Sequence, residues 1–132
     1  MPDADVIHAL KPVLAHHPEL DVVIVFGSMA TGRQRPDSDL DLAVMAARPL
    51  TVAQRMALVG ELALVTGRAI DLVDLRTVGE PLLGEVLVHG RRVLGSDQAF
   101  AELLSKHVLD AADFLPYAQR MIDQRRRAWI AP

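Results

Sequence analysis

Two short segments of the chain bring together residue types that bind phosphate and residue types that bind metal ions. Gly27 and Ser28 follow an apolar, β-branched run, 22–26, and ten residues separate Ser28 from Asp39 and Asp41. A glycine allows a sharp turn and a close phosphate approach, while a serine hydroxyl and the following amides can donate to phosphate oxygens. Side chains that are two positions apart on a strand point to the same face. The Asp39 and Asp41 carboxylates should therefore lie on one side of the strand, with Cα atoms roughly 6 to 7 Å apart. This spacing suits two Mg²⁺ ions about 3.5 to 4 Å apart, which would relieve the repulsion between the carboxylates.

Other interpretations of these residues were tested by spacing. Gly27 and Gly32 are spaced as in a Walker-type phosphate loop, but the Lys and the Ser or Thr that must follow are absent. In an EF-hand the obligatory Gly and Glu would fall on Leu42 and Arg48, so calcium binding is excluded. The remaining alternative is a pair of turn glycines followed by solvent-facing aspartates at a strand end. The order of all these features together favours the catalytic interpretation.

The order Gly-Ser, ten residues, Asp-x-Asp resembles the signature of DNA polymerase β type nucleotidyltransferases. It is most similar to the minimal nucleotidyltransferases (MNT) that act as antitoxins beside HEPN toxins. Gly27, Ser28, Asp39 and Asp41 carry the resemblance, which extends over roughly residues 20 to 95. The resemblance implies an α/β (α+β) nucleotidyltransferase fold with a small mixed β-sheet flanked by helices.

The family places a third carboxylate on the next strand. The β-rich segment 69–73 supplies Asp71 in its middle, and Asp74 three residues on would face the opposite side of an ideal strand. Asp74 is therefore expected to be a strand-end or cap residue. The resemblance implies that Asp39, Asp41 and Asp71 are the catalytic residues and the metal ligands.

The turn after the first strand departs from the family pattern at one position. Many members have Arg before the second glycine, whereas this chain has Thr31 before Gly32. Arg33 or Arg35 could reach the same phosphate, because arginine is long and its planar fork suits an anion. The expected nucleotide-binding residues are Gly27, Ser28 and Arg33.

The function that the resemblance implies is Mg²⁺-dependent transfer of AMP from ATP, with two metal ions. The implied acceptor is a hydroxyl group, a tyrosine, on a cognate HEPN-type toxin ribonuclease that the modification silences. Two alternatives stay open. The first is a nucleotidyltransferase for a small hydroxylated molecule such as an aminoglycoside, and the second is a non-catalytic antitoxin that acts by binding alone.

Composition limits the remaining possibilities. The chain has 132 residues, 51% of them hydrophobic, which predicts a single domain over 1–132. The resemblance implies that the core of this nucleotidyltransferase domain lies at about 20–95, followed by a helical extension over 97–130. It has no cysteine, no apolar run approaching 18 residues and no signal peptide, so a cytoplasmic protein without a membrane segment is expected. The net charge of −3 argues against extended nucleic-acid binding.

Helices are predicted around the strands. The first, containing Val6 and Leu14, should be kinked or delayed in its start by Pro12. A second is capped by Thr51 and ends near Gly67. A helix, a glycine and a short strand follow over 85–94. The extension 97–130 is predicted to be an amphipathic helix or a kinked pair around Pro116, whose apolar face either packs in the core or in part meets the toxin.

The C-terminal basic run and the histidines carry weaker signals. Arg125, Arg126 and Arg127 precede Trp129, which is typical of a solvated helix end or of a tail that docks a partner. The five histidines show no metal-ligand spacing, and none is expected to take part in the chemistry.

Overall fold

The computed structural model describes residues 2–27 and 39–130, and of residues 2–4, 114, 115 and 126–130 it describes the backbone only. The four helices in these ranges are α1 (Pro2–Ala15), α2 (Val52–Thr66), α3 (Leu82–His89) and α4 (Asp97–Ile130). The four strands are β1 (Leu20–Phe26), β2 (Leu40–Ala46), β3 (Ile70–Asp74) and β4 (Arg91–Leu94). The predicted strands lie within one to two residues of the observed ones at most ends. The mixed α/β class predicted from the sequence is confirmed.

The described strands form one mixed sheet in the order β3-β2-β1-β4. β1 is antiparallel to β2 and to β4, whereas β2 and β3 are parallel. The parallel pair is joined through α2, because two parallel neighbours need a crossover connection. The connection between β1 and β2 falls in residues 28–38, outside the described residues.

Each face of the sheet packs against its own hydrophobic core. Val23 and Val25 of β1 lie in the core that also holds Leu10 of α1 and Leu58 and Leu62 of α2. The alternate residues Val22 and Ile24 lie in the second core, with Leu83, Val86 and Leu103 from α3 and α4. Burial of β1 on both faces explains its unbroken apolar sequence. The sheet is thus a rigid layer between two pairs of helices.

Pro12 does not delay the start of the first helix, so that part of the prediction is wrong. α1 begins at Pro2 and continues past Pro12 to Ala15. Pro12 removes the helical partner of the carbonyl group of His8, but both residues are exposed, so water can take that place. Val13 and Leu14, which follow the proline, are buried against the sheet and stabilise the last turn.

The prediction for α2 is confirmed at both ends. The Thr51 hydroxyl accepts a hydrogen bond from the Gln54 amide, and the Gln54 side chain accepts one from the Thr51 amide, which completes a capping box. Gly67 ends the helix in the left-handed conformation at φ +66°. α2 is therefore fixed between the two strands that it joins.

α4 is helical throughout Asp97–Ile130, including Pro116. Its first turns are held to β4 by Arg92, which pairs with Asp97 and lies 4.8 Å above the Phe100 ring. Farther along, the Lys106 ammonium donates to the carbonyl oxygen of Val78 at 3.1 Å. The expectation of core packing holds for these first turns, since Leu103 is 3% exposed.

The two edges of the sheet differ in how they are protected. At the β3 edge, the guanidinium of Arg55 donates to the carbonyl oxygen of Leu72 at 2.7 Å. At the other edge, β4 is only four residues long and begins with two arginines. Among the described helices, none has both the length and the apolarity that crossing a membrane requires.

Candidate active site

The structure places two of the predicted carboxylates side by side on neighbouring parallel strands. Asp41 is the second residue of β2 and Asp71 the second residue of β3, and the two are direct partners in the strand register. The charge of Asp71 acts on Asp41 and contributes to its raised pKa. Asp71 is exposed, so the pair is open to solvent at this end of the sheet.

The surroundings of Asp41 disfavour its negative charge. Burial is the largest of the causes that together raise the pKa of Asp41 to about 6, and the charge of Asp71, hydrogen bonding with Asp71 and the charge of Asp39 follow in that order. A cation beside Asp41 would therefore be favourable.

Asp39 lies one residue before β2 and is exposed. Its charge is felt by Asp41, but among the described residues no three His, Cys, Asp or Glu side chains converge closely enough to hold a metal ion together. In this arrangement Asp39 stands near the Asp41–Asp71 pair rather than joined to it. The pair itself fits a divalent cation, because carboxylate oxygens are the ligands that Mg²⁺ prefers and a cation would offset the negative charge that raises the pKa of Asp41.

The glycine turn begins directly against this pair. Gly27 has a φ of +71°, and a Cβ atom built on it would lie 2.2 Å from Oδ2 of Asp41. Its neighbour Phe26 is the register partner of Asp41 on β1. A side chain at position 27 would thus strain the backbone and displace a carboxylate. Ser28 and Arg33, the other predicted nucleotide-binding residues, lie outside the described residues, so their phosphate contacts stay predictions.

Asp74 has the capping role that the sequence predicted for it. It is 5% exposed, and its two carboxylate oxygens accept hydrogen bonds from the amides of Leu50 and Arg76, each at 2.8 Å. These bonds fix the loops at the far end of β2 and β3. Asp74 therefore stabilises the strands that carry Asp41 and Asp71 and takes no part in the site.

Two histidines have carboxylate partners that the sequence did not reveal. His17 is 8% exposed and lies between Glu61 of α2, at 2.7 Å, and Glu19, at 3.1 Å. His107 of α4 contacts Glu80. Glu61 is 44 residues from His17 in the chain, so nothing in the local pattern could have paired them. Neither histidine contact involves Asp41 or Asp71. We therefore assign both contacts to holding elements of the fold together.

A mixed sheet with a glycine turn after its first strand and paired carboxylates on the next two defines a nucleotidyltransferase domain. Residues 8–99 match the profile of the family described as Polymerase beta, Nucleotidyltransferase, which is more than half of the chain. The chain belongs to this family.

One relative is similar in sequence to part of this chain, and its name states an activity. The chain is 37% identical over 81 residues to the protein adenylyltransferase MntA of Shewanella oneidensis, an alignment that covers 61% of this chain and 58% of MntA. The aligned part thus spans little more than half the length of that relative.

Two solved structures are similar over nearly the whole chain. The first is described as a toxin–antitoxin with AMP-PNP; it superposes with a TM-score of 0.78 at 28% identity and covers 96% of this chain and 99% of the matched one. The second is described as a tri-AMPylated Shewanella oneidensis HEPN toxin in complex with MNT antitoxin. Its TM-score is 0.72 at 26% identity, with 95% and 96% of the two chains covered.

Proposed function

We propose that this protein is a Mg²⁺-dependent nucleotidyltransferase antitoxin that transfers AMP from ATP to a tyrosine hydroxyl of a cognate HEPN-type toxin. The observation that carries the proposal is the Asp41–Asp71 pair, held by the strand register against the glycine turn. The adenylyltransferase activity of MntA, the AMP-PNP-bound relative and the AMPylated HEPN toxin support the choice of reaction and partner.

The reaction is a displacement at phosphorus. The acceptor oxygen loses its proton and forms a bond to the α-phosphorus of ATP, while the bond from that phosphorus to the bridging oxygen of the β-phosphate breaks and pyrophosphate leaves. Asp39, Asp41 and Asp71 would hold Mg²⁺, which would supply positive charge to offset the charge of the triphosphate.

The residues of the chain have separate tasks in this proposal. Gly27 lets the triphosphate approach the sheet, because it has no side chain and adopts a conformation that other residues disfavour. Asp71, the exposed member of the pair, accepts the proton of the acceptor hydroxyl. Ser28 and Arg33 are proposed to bind the phosphates.

The test is the intact mass of the toxin after incubation with this protein, ATP and Mg²⁺. We expect the toxin to gain whole AMP groups with the wild type and with Asp21→Asn, a charge-matched control in an exposed position at the other end of β1. Asp41→Asn and Asp71→Asn should give no gain. Peptide mapping then identifies the acceptor.

Two other results would replace the proposal. A toxin that is neutralised in a stable complex without any gain in mass would make the protein a binding antitoxin. AMP transfer to an aminoglycoside in the absence of any protein partner, with no transfer to the toxin, would make it a small-molecule nucleotidyltransferase.

A further inference from the structure

α3 and the Asp41–Asp71 pair lie on the same face of the sheet. Leu40 and Leu42, on either side of Asp41 in β2, belong to the first core, and successive side chains of a strand point to opposite faces. Asp41 and its register partner Asp71 therefore face the side of the second core. The buried side chains of α3 lie in that second core, so α3 covers part of the same face.

The side of α3 that carries His89 is turned towards the carboxylate end of the sheet. Gly84 faces α4, since a Cβ atom built on it would lie 2.7 Å from Cε1 of His107. His89, the last residue of α3, comes later by an angle of about 140° around the helix, at 3.6 residues per turn. α4 packs beside Leu75, which follows the end of β3 remote from Asp71. His89 thus lies on the side of α3 that is away from α4 and towards Asp71.

The register of β4 on β1 brings His89 close to the glycine turn. Arg91 pairs with Val25, and a step of two residues along each strand leads from this pair to His89 and to Gly27. Paired Cα atoms of antiparallel strands are about 5 Å apart, and two residues cover at most about 7 Å. The Cα atoms of His89 and Gly27 therefore lie within roughly 10 Å of each other.

The chain is closely packed where α3 meets β4. A Cβ atom built on Gly90 would lie 2.3 Å from the carbonyl oxygen of Val86 and 2.4 Å from Cγ2 of Ile24. His89 directly precedes this glycine, so its backbone is held close to β1. Its side chain is exposed and makes no hydrogen bond or ion pair with any other described residue. An imidazole has at least one ring N–H in either protonation state, so His89 has a donor available for a ligand.

We propose that His89 binds the β- and γ-phosphates of ATP by donating an imidazole N–H to their oxygens. This inference rests on the proposed function for the identity of the nucleotide. The strand order β3-β2-β1-β4 places the carboxylate pair, the glycine turn and His89 one after another across the sheet. A triphosphate whose α-phosphate is held at Asp41 and Asp71, and which passes over Gly27, therefore extends its terminal phosphates towards His89.

This role differs from the expectation that no histidine takes part in the chemistry. Gly27 and His89 lie far apart in the chain, and only the register of β4 on β1 brings them together, so no local pattern pairs them. The proposed contact is made to the part of ATP that leaves as pyrophosphate. His89 should therefore distinguish ATP from AMP.

The experiment measures nucleotide affinity by calorimetry with Mg²⁺ and without toxin. The ligands are AMP-PNP, which resembles ATP, and AMP, which lacks the β- and γ-phosphates. His89→Leu removes the ring donor, whereas His89→Gln keeps an N–H donor. His16→Leu is the matched control, because His16 is an exposed histidine before the opposite end of β1. Both histidines are exposed, so all three variants should fold, which thermal unfolding checks.

We expect His89→Leu to bind AMP-PNP about 10-fold more weakly and AMP with unchanged affinity, since one hydrogen bond to a charged group has an effect of this size. His89→Gln should recover most of the loss, and His16→Leu should match the wild type. In the transfer assay the same factor should appear in the KM for ATP, because a contact made equally in the ground state and the transition state leaves kcat unchanged.

Unchanged AMP-PNP affinity of His89→Leu would overturn the assignment, as would a wild type that does not bind AMP-PNP. An equal loss of affinity for AMP would overturn it too, since AMP has neither of the two phosphates. A wild type that binds AMP-PNP through His89 but transfers no AMP to the toxin would sink the proposed function and leave the phosphate contact supported. Transfer of AMP to the toxin by the wild type, with AMP-PNP affinity unaffected by His89→Leu, would do the reverse.

Discussion

Asp41 and Asp71 are forced together by the register of two parallel strands, and the charge of Asp71 helps to raise the pKa of Asp41. A raised carboxyl pKa means that the folded protein binds the proton more tightly than the unfolded chain does. In the metal-free protein the free energy of unfolding should therefore fall as the pH rises from 3.8, the ordinary pKa, to about 6, and change no further through this group above that. The site is in this sense a destabilised part of the fold that a cation would relieve.

The first prediction concerns Mg²⁺ binding by this pair. We expect Mg²⁺ to raise the thermal unfolding midpoint by a few degrees well above pH 6 and by much less below it, where protons compete for the same oxygens. Asp41→Asn imitates the protonated form, so its midpoint without metal should equal or exceed that of the wild type above pH 6 and should not respond to Mg²⁺. Asp21→Asn serves as the control and should behave as the wild type. A Mg²⁺ response of Asp41→Asn equal to that of the wild type would contradict this account.

The second prediction separates backbone strain from lack of space at the glycine turn. Gly27 and Gly67 have nearly the same positive φ, +71° and +66°, but only at Gly27 would a Cβ collide with another residue. Both substitutions to alanine should cost about 1 to 2 kcal/mol of stability through the backbone. Gly27→Ala should in addition slow AMP transfer by roughly 100-fold, because it displaces Asp41. Denaturant unfolding and transfer rates measure the two effects, and equal rates for the two variants would refute the steric argument.

Part of the site could be predicted at this scale and part could not. Asp41 and Asp71 were accessible from the sequence because strand periodicity and the family signature both point to them. The raised pKa of Asp41 depends on the exact register of β2 on β3, which no local pattern encodes. The same holds for the 2.2 Å approach of Gly27 to Asp41, since the two residues lie on different strands.

At the scale of elements, the His17 cluster fastens the loop after α1 to α2. Burial by itself would lower the pKa of His17, but the hydrogen bonds to Glu61 and Glu19, together with their charges, outweigh it and raise the pKa above 6.5. The charged histidine is thus bound more tightly in the folded state. Its contribution to stability is complete below pH 6.5 and is lost as the pH rises through the higher folded-state pKa.

The third prediction tests this cluster. Glu61→Gln should lower the free energy of unfolding by about 1 kcal/mol below pH 6.5, a modest amount because the Glu61 side chain is nearly half exposed. The difference from the wild type should shrink as the pH rises above that range. Glu19→Gln, whose contact is longer, should give a smaller loss with the same pH dependence. A Glu61→Gln effect that grows with rising pH would have the wrong sign for this mechanism.

Elements with strong local signals were predicted closely. The strands of the sheet and α2 have apolar runs bounded by glycine or by a capping residue, and these signals agree with the tertiary fold. α1 was predicted less well, because burial of its last turn against the sheet outweighs the intrinsic effect of Pro12. Whether the apolar face of α4 is buried or exposed depends on where the sheet ends, and helical periodicity in the sequence does not contain that information.

For the molecule as a whole, charge limits what can be bound. The net charge is −3, and the basic residues of the described ranges are distributed over helices, strands and loops. Nucleic-acid binding gains most of its affinity from clustered positive charge.

The fourth prediction follows from this charge. Single-stranded RNA added at physiological salt should not reduce the rate of AMP transfer to the toxin, because a protein of net negative charge attracts phosphates weakly. The assay is the transfer rate against RNA concentration, with polyaspartate as a control for general polyanion effects. Inhibition by RNA but not by polyaspartate, at concentrations comparable with those of the protein, would show a nucleic-acid site that the charge argument fails to foresee.

The protected edges of the sheet bear on how this chain behaves when it is concentrated. β1 is an apolar strand of the kind that adds readily to other strands, and the outer strands β3 and β4 are where such growth would begin. At the β3 edge, the hydrogen bond from Arg55 makes the carbonyl group of Leu72 unavailable to another strand. At the β4 edge, the strand has only four residues and carries two arginines, so it offers few backbone groups and repels a second copy by charge. We therefore expect the folded protein to resist cross-β aggregation even though half of its residues are hydrophobic.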